Sequence, residues 1–425
     1  MKLLLKNGHL IDPARGIDGR RDLLVVDGLI SRVEETILSA EAKVIDLAGL
    51  MVAPGFIDMH VHLREPGRED AETIESGMKA ASAGGFTSIA CMPNTDPPND
   101  NQSITEYIVR EARRHQGVNV FPIGCISRNR AGKEMAEIGQ MVRGGIVGVS
   151  DDGSPVDSAA LMYQVLEYTR MFGIPVIDHC EDRDLAGEGV VNEGFLSTRL
   201  GLRGMPSCAE EIQVQRDAAL ARYAQGRIHI AHISTQRGLD VVRAARGEGT
   251  AITCEVTPHH FSLTEAAVEG FDPNAKMKPP LRSEADREAV LAALKDGTID
   301  AIATDHAPHN IIEKEVEFDQ AAFGVTGLET AVSLALDRLV KPRVIDMTRL
   351  VSLFSVNPAR ILNLGKGRLA PGDDADITVL DLKRETEIRA DRFLSRSRNS
   401  PFLGWKLQGA AVMTLVGGRI LNDTR

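Results

Sequence analysis

Six residues carry side chains suited to one task, holding a divalent cation that turns water into a nucleophile: His60, His62, Asp152, His179, His232 and Asp305. His60-Val61-His62 is a His–x–His pair, and at the end of a strand the two-residue alternation of side chains points both imidazoles to one side. Taken singly, each residue also has an ordinary reading. Asp151-Asp152-Gly153 is a turn sequence, a lone strand-end histidine is a satisfied polar group, and Asp305 is a cap for a following helix. Their joint placement decides the matter, because four of the eleven histidines and two carboxylates fall at the ends of five strand-like runs. Imidazole nitrogen with carboxylate oxygen suits Zn²⁺ and, less selectively, Mn²⁺, Co²⁺ or Fe²⁺, whereas an all-oxygen set would suit Mg²⁺ or Ca²⁺. Four His and two Asp exceed the needs of one open catalytic zinc. Two metals about 3.5–4 Å apart, sharing a carboxylate and a hydroxide, account for them better than a mononuclear site.

The elements that must position these groups can be read from the apolar pattern. From Gly55 onward, strands alternate with amphipathic helices, the sequence form of repeated βα units. Eight strands are expected, over 56–62, 87–92, 118–123, 146–149, 175–179, 228–232, 251–256 and 300–304. Eight units close a (β/α)₈ barrel, whose C-terminal strand ends converge on one face and bring distant residues together. Short strand-like runs at 3–5, 23–26 and 43–46, separated by turns such as Asp27-Gly28, read as a small antiparallel sheet. After helix-like stretches at 328–338 and 347–355, the chain returns at Gly365 to β-like sequence, including 376–381 and 412–416, expected to pair with that sheet. The expected fold class is α/β, a TIM-like barrel over 54–364 with a small β-sandwich domain built from 1–53 and 365–425.

A formal charge of −11 and the lack of a Lys/Arg run argue against nucleic acid or an anionic membrane as partner, leaving a small-molecule substrate. The N-terminal Met1-Lys2-Leu3-Leu4-Leu5-Lys6-Asn7-Gly8 turns polar too soon for a signal-peptide core, and no run reaches the ~18 apolar residues of a membrane span. A cytoplasmic location is expected. The five cysteines, Cys91, Cys125, Cys180, Cys208 and Cys254, are odd in number and widely spread, as buried free thiols in a reducing compartment would be.

The residues so far resemble the amidohydrolase superfamily and, within it, the bacterial dihydroorotases. The resemblance runs through Pro54-Gly55-Phe56-Ile57-Asp58-Met59-His60-Val61-His62-Leu63-Arg64-Glu65-Pro66-Gly67, Met92-Pro93-Asn94-Thr95, Asp151-Asp152-Gly153 and Thr257-Pro258-His259-His260-Phe261. It continues through Thr304-Asp305-His306-Ala307-Pro308-His309, Gly327-Leu328-Glu329-Thr330, Asn357-Pro358-Ala359-Arg360 and Asn399-Ser400-Pro401-Phe402. Related hydantoinases and allantoinases bridge their metals with a carboxylated lysine at the end of strand four, where this chain has Asp151-Asp152. That resembles the aspartate-bridged type, and by motif position Asp152 is the bridge.

The resemblance implies Zn²⁺ as cofactor, two per subunit, with His60, His62 and Asp305 on one ion, His179 and His232 on the other, and Asp152 shared. It implies reversible cyclisation of N-carbamoyl-L-aspartate to (S)-dihydroorotate in pyrimidine synthesis, with a metal-bridged hydroxide as nucleophile and Asp305 as catalytic base and acid. His62, Leu63, Arg64, Asn94, Lys278, His309, Phe323 and Gly324 are the implied substrate contacts, Arg64 offering a fork to the ring carboxylate. Lys278 departs from the family, which commonly has Asn there. The alternatives are a hydantoinase or allantoinase, which need no cationic pocket, and a non-catalytic subunit supporting aspartate transcarbamoylase. Two partners stay open: a second copy of the chain, as a homodimer, and the transcarbamoylase.

Overall fold

The computed structural model describes residues 2–425, so the first residue of the expected 1–53 segment lies outside them. Strands Phe56–Val61 and Phe86–Cys91 are buried on both faces, as parallel strands covered by helices must be. They pair in parallel with each other and then with Asn119–Pro122. Val176–Asp178, Ile228–Ile230, Ile252–Val256 and Ala301–Ile302 form a second parallel run. Val149 joins the two through single bridges to Gly124 and Val176, and a bridge between Val61 and His306 closes the ring, with His62 N donating to His306 O at 2.8 Å. The result is the expected eight-membered barrel.

Two of its members are shorter than the sequence suggests. The fourth, expected over 146–149, keeps ladder bonds such as Val147 N to Pro122 O at 3.0 Å but no continuous strand. The eighth shrinks to Ala301–Ile302. Beyond it, Thr304 N donates to the carboxylate Oδ1 of Asp58 at 3.1 Å, so a side chain takes the bond that a neighbouring strand would supply.

The chain termini build one eight-stranded sheet, with Ile377–Glu387 antiparallel to Met51–Pro54 through pairs such as Thr378↔Ala53. The tail therefore pairs as expected. The N-terminal part is mixed rather than antiparallel, because Lys43–Asp46 and Met51–Pro54 both run parallel to Lys2–Asp12. A core including Leu3, Leu10, Leu23, Ile377 and Met413 fills this layer. Thr378 fastens it to the barrel, its hydroxyl accepting from Phe56 N at 3.0 Å and donating to Gly85 O at 2.7 Å. Four cysteines are buried and Cys208 is exposed; all are free thiols. Among the described residues no helix is long and apolar enough to cross a membrane.

Helix Ile74–Gly84 begins with a reciprocal Thr73–Ser76 capping box and ends against the turn at Leu328. A Cβ on Gly84 would stand well inside contact with the Leu328 carbonyl oxygen. Helix propensity favours alanine over glycine by about 1 kcal/mol at most. Overpacking against a backbone atom that cannot rotate away costs about 1–3 kcal/mol. Gly84→Ala is accordingly expected to lower the urea midpoint; an unchanged or higher midpoint would mean that the Leu328 turn yields freely.

Candidate active site

The barrel brings His60, His62, Asp152, His179, His232 and Asp305 into one cluster, all buried. His60 Nε2 lies 3.3 Å from Asp152 Oδ1 and 3.5 Å from Asp305 Oδ1. His62 Nε2 lies 3.0 Å from Asp305 Oδ1 and 3.4 Å from Asp152 Oδ2. His179 Nδ1 and His232 Nε2 each stand 3.6 Å from Asp152 Oδ1, and 2.9 Å from each other. Asp152 is thus central. Its neighbour Asp151 turns away, accepting from Ile126 N at 2.9 Å and Ser127 N at 3.1 Å.

Within this cluster two sets of three donors are compact enough to surround a cation: His60, His62 and Asp305, and His60, Asp152 and His232. His60 Nε2 and Asp152 Oδ1 are also buried without a hydrogen-bond partner, a costly arrangement for protein atoms alone and a natural one for metal ligands. Mixed nitrogen and carboxylate donors fit a borderline divalent ion. The buried imidazoles and carboxylates also shift one another's pKa values. Burial disfavours charge on His60, but Asp152 and Asp305 outweigh it and raise its pKa well above the usual value. Asp305 is conversely held well below the usual carboxylate range, His60 and His62 overcoming its burial.

Arg64, His232 and Asp305 all sit at left-handed φ, +61°, +33° and +47°, a conformation that side chains rarely adopt and that tends to occur at functional sites. Arg64 is buried, and its bonds go to neutral groups: Nε donates to Pro308 O at 3.1 Å and Nη2 faces His309 Nε2 at 3.4 Å. No carboxylate forms an ion pair with it among the described residues. Burial, with repulsion from Arg68, lowers its pKa to about 10, so it remains charged at neutral pH. A buried guanidinium whose direct neighbours are neutral is suited to pairing with an anionic group.

The other expected contacts are distributed unevenly. His309 lies between Phe323 O at 2.8 Å and Glu313 Oε2 at 3.2 Å, beside Arg64. Gly324 takes φ +125°, and a Cβ there would meet Ala307 Cβ at 2.6 Å and His309 Nε2 at 3.3 Å. Asn94 spends its amide oxygen on His62 Nδ1, at 2.7 Å. Lys278 pairs with Glu181 at 2.7 Å and stands 5.7 Å from the Phe323 ring centre; Glu181 also faces His179 Nε2 at 3.9 Å. Leu63 is not brought to the cluster by its side chain, which packs in the core where a Cβ on Gly77 would collide with it.

Reading strand ends overlooked residues inside the strands. Glu255 and His229 are wholly buried, with Glu255 Oε1 2.7 Å from His60 Nδ1 and Oε2 3.2 Å from His229 Nε2. Burial opposes the charge of Glu255, yet the two imidazoles hold its pKa down to about 2. Its signal in the sequence is an acid within the apolar run Ile252–Val256, beside a histidine within Ile228–Ile230.

Comparison with known proteins places this geometry in context. A family model described as Dihydro-orotase-like matches residues 49–238, and one described as Amidohydrolase family matches residues 210–422. The chain is 52% identical over 422 residues to a dihydroorotase of Geobacter sp. (strain M21), covering 99% of each. It is 49% identical over 419 residues to a dihydroorotase of Acetivibrio thermocellus, covering 99% of this chain and 98% of the other. Among solved structures, the L-hydantoinase (dihydropyrimidinase) from Arthrobacter aurescens superposes with TM-score 0.90 at 26% identity, over 99% of this chain and 96% of that one. The dihydropyrimidinase from Brevibacillus agri NCHU1002, at TM-score 0.85 and 21% identity, shares the fold.

Proposed function

This chain belongs to the dihydroorotase family, and we propose that it catalyses the reversible cyclisation of N-carbamoyl-L-aspartate to (S)-dihydroorotate at the buried His/Asp cluster. The observation that carries the substrate choice is Arg64, a buried guanidinium without an acidic partner beside the donor cluster. A ring carboxylate supplies the missing anion, and an uncharged hydantoin does not. In this reading Asn94, His309, Lys278, Phe323 and Gly324 are the remaining substrate contacts, supported by His309 Nε2 lying 3.4 Å from Arg64 Nη2 and by Asn94 bonding His62.

Zn²⁺ is the proposed cofactor, two ions per subunit, with His60, His62 and Asp305 holding one, His179 and His232 the other, and Asp152 shared. When bound, such ions lower the pKa of water toward ~7 and polarise the carbonyl under attack. The chain's own residues then direct the proton. Asp305, ionised at rest, accepts the proton of the attacking water in the hydrolytic direction and returns it to the departing amide nitrogen. Cyclisation reverses these steps. Arg64 holds the carboxylate, and with it the ring, in register with Asp305.

Assaying the purified protein on dihydroorotate, hydantoin and allantoin, before and after chelation, tests this reading. Turnover is expected on dihydroorotate, with loss on metal removal and recovery on adding Zn²⁺. Activity confined to the uncharged rings would overturn the substrate, and full activity in verified metal-free protein would overturn the cofactor.

A further inference from the structure

We propose that Glu255 and His229 act as a buried positioning pair that fixes the ring of His60 with its proton on Nδ1 and its bare Nε2 toward the donor cluster. The inference rests on His60 being a metal ligand, as proposed above. A carboxylate can only accept hydrogen bonds, so Glu255 Oε1, 2.7 Å from His60 Nδ1, requires the proton there. In the neutral ring that a metal requires, the opposite nitrogen is then the lone-pair donor. It is buried, lacks a hydrogen-bond partner, and faces Asp152 and Asp305.

His229 extends the arrangement by one step. Its Nδ1 lies 2.8 Å from the Thr253 hydroxyl, on the neighbouring strand at the paired position, and its Nε2 lies 3.2 Å from Glu255 Oε2. His229 Nε2 and Glu255 Oε2 lie within ion-pair distance without a well-formed hydrogen bond between them, so His229 backs Glu255 by contact rather than by a shared proton. One charge thus sits between two imidazoles. Asp58 stands beside the set, its Oδ1 accepting from the backbone of His60 and Thr304, and burial raises its carboxyl to about 7.

Energetics separate positioning from packing. A wholly buried carboxylate whose ion-pair neighbours are two imidazoles is a poor way to stabilise a barrel core, and an uncharged isostere often folds as well or better. An outer partner of a metal-binding histidine, however, sets ring orientation and basicity. The second histidine of the pair is treated differently, His62 Nδ1 meeting the neutral amide oxygen of Asn94 at 2.7 Å. Charge is therefore concentrated behind His60.

The test uses the full chain and three readouts: Zn²⁺ affinity by chelator competition, the unfolding midpoint of metal-free protein, and the imidazole N–H protons of Zn²⁺-loaded protein. Glu255→Gln is expected to weaken Zn²⁺ binding roughly 10- to 100-fold, to leave the metal-free midpoint unchanged or higher, and to remove one strongly downfield N–H resonance. His229→Gln should weaken binding less. Wild-type affinity in Glu255→Gln would overturn the pair, and so would affinities that fall only in step with the metal-free midpoint in both variants. A wild-type protein that takes up no Zn²⁺ would instead overturn the metal reading of the site.

Discussion

Asp305→Asn is expected to retain most of the bound metal and to lose nearly all turnover, by at least about 10³-fold, within the range that a positioned acid–base group supplies. The substitution suits the position. Asp305 has φ +47°, and asparagine tolerates left-handed backbone about as well as aspartate, so the strand end need not rearrange. The amide keeps an oxygen for His62 Nε2, now 3.0 Å from Asp305 Oδ1, but cannot take a proton at neutral pH. The wild-type carboxylate is ionised at rest because His60 and His62 outweigh its burial. Only in strong acid should protonation of Asp305 itself limit the rate. Steady-state kinetics beside metal analysis of the same sample check this, and wild-type-like turnover in a fully loaded variant would remove Asp305 as the proton carrier.

How far the sequence reached depends on whether a feature is local. Period-two alternation and βα spacing are local, so the barrel was legible, as were ligands sitting where strands end. The eighth strand is shorter than its apolar run suggests because Thr304 N bonds Asp58, a partner 246 residues away. Asp151 and Asp152 differ by one position and by nothing that composition registers. The fold separates them, one capping the Ile126–Ser127 backbone and the other entering the cluster. Glu255 sits in a strand interior, where apolar residues are expected, and its contact with His60 on the first strand of the barrel is one that no local pattern reveals. Lys278 is expected from the resemblance to face substrate. It pairs with Glu181, an arrangement that no sequence spacing suggests.

Arg64 supports the second large prediction, because its sequence signal and its structural one are independent. The motif places it two residues past the His–x–His pair, and the fold buries it with a carbonyl and an imidazole but no acid. Removing one partner of a desolvated, hydrogen-bonded charge pair costs about 2–5 kcal/mol. Arg64→Gln should therefore lower kcat/KM for dihydroorotate by roughly 10²- to 10³-fold, most of it through KM. Arg64→Lys should recover only part, since the ammonium keeps the charge and loses the planar fork that matches a carboxylate. Metal content should stay at the wild-type level in both, because Arg64 contributes no donor to the cluster. Dihydrouracil, which is dihydroorotate without its carboxylate, supplies the internal control. Its turnover, expected to be weak in the wild type, should change little, so the preference for dihydroorotate over dihydrouracil should collapse. Should the preference survive in Arg64→Gln at full metal loading, the carboxylate must be held elsewhere in the pocket, and Lys278 becomes the cation to replace next.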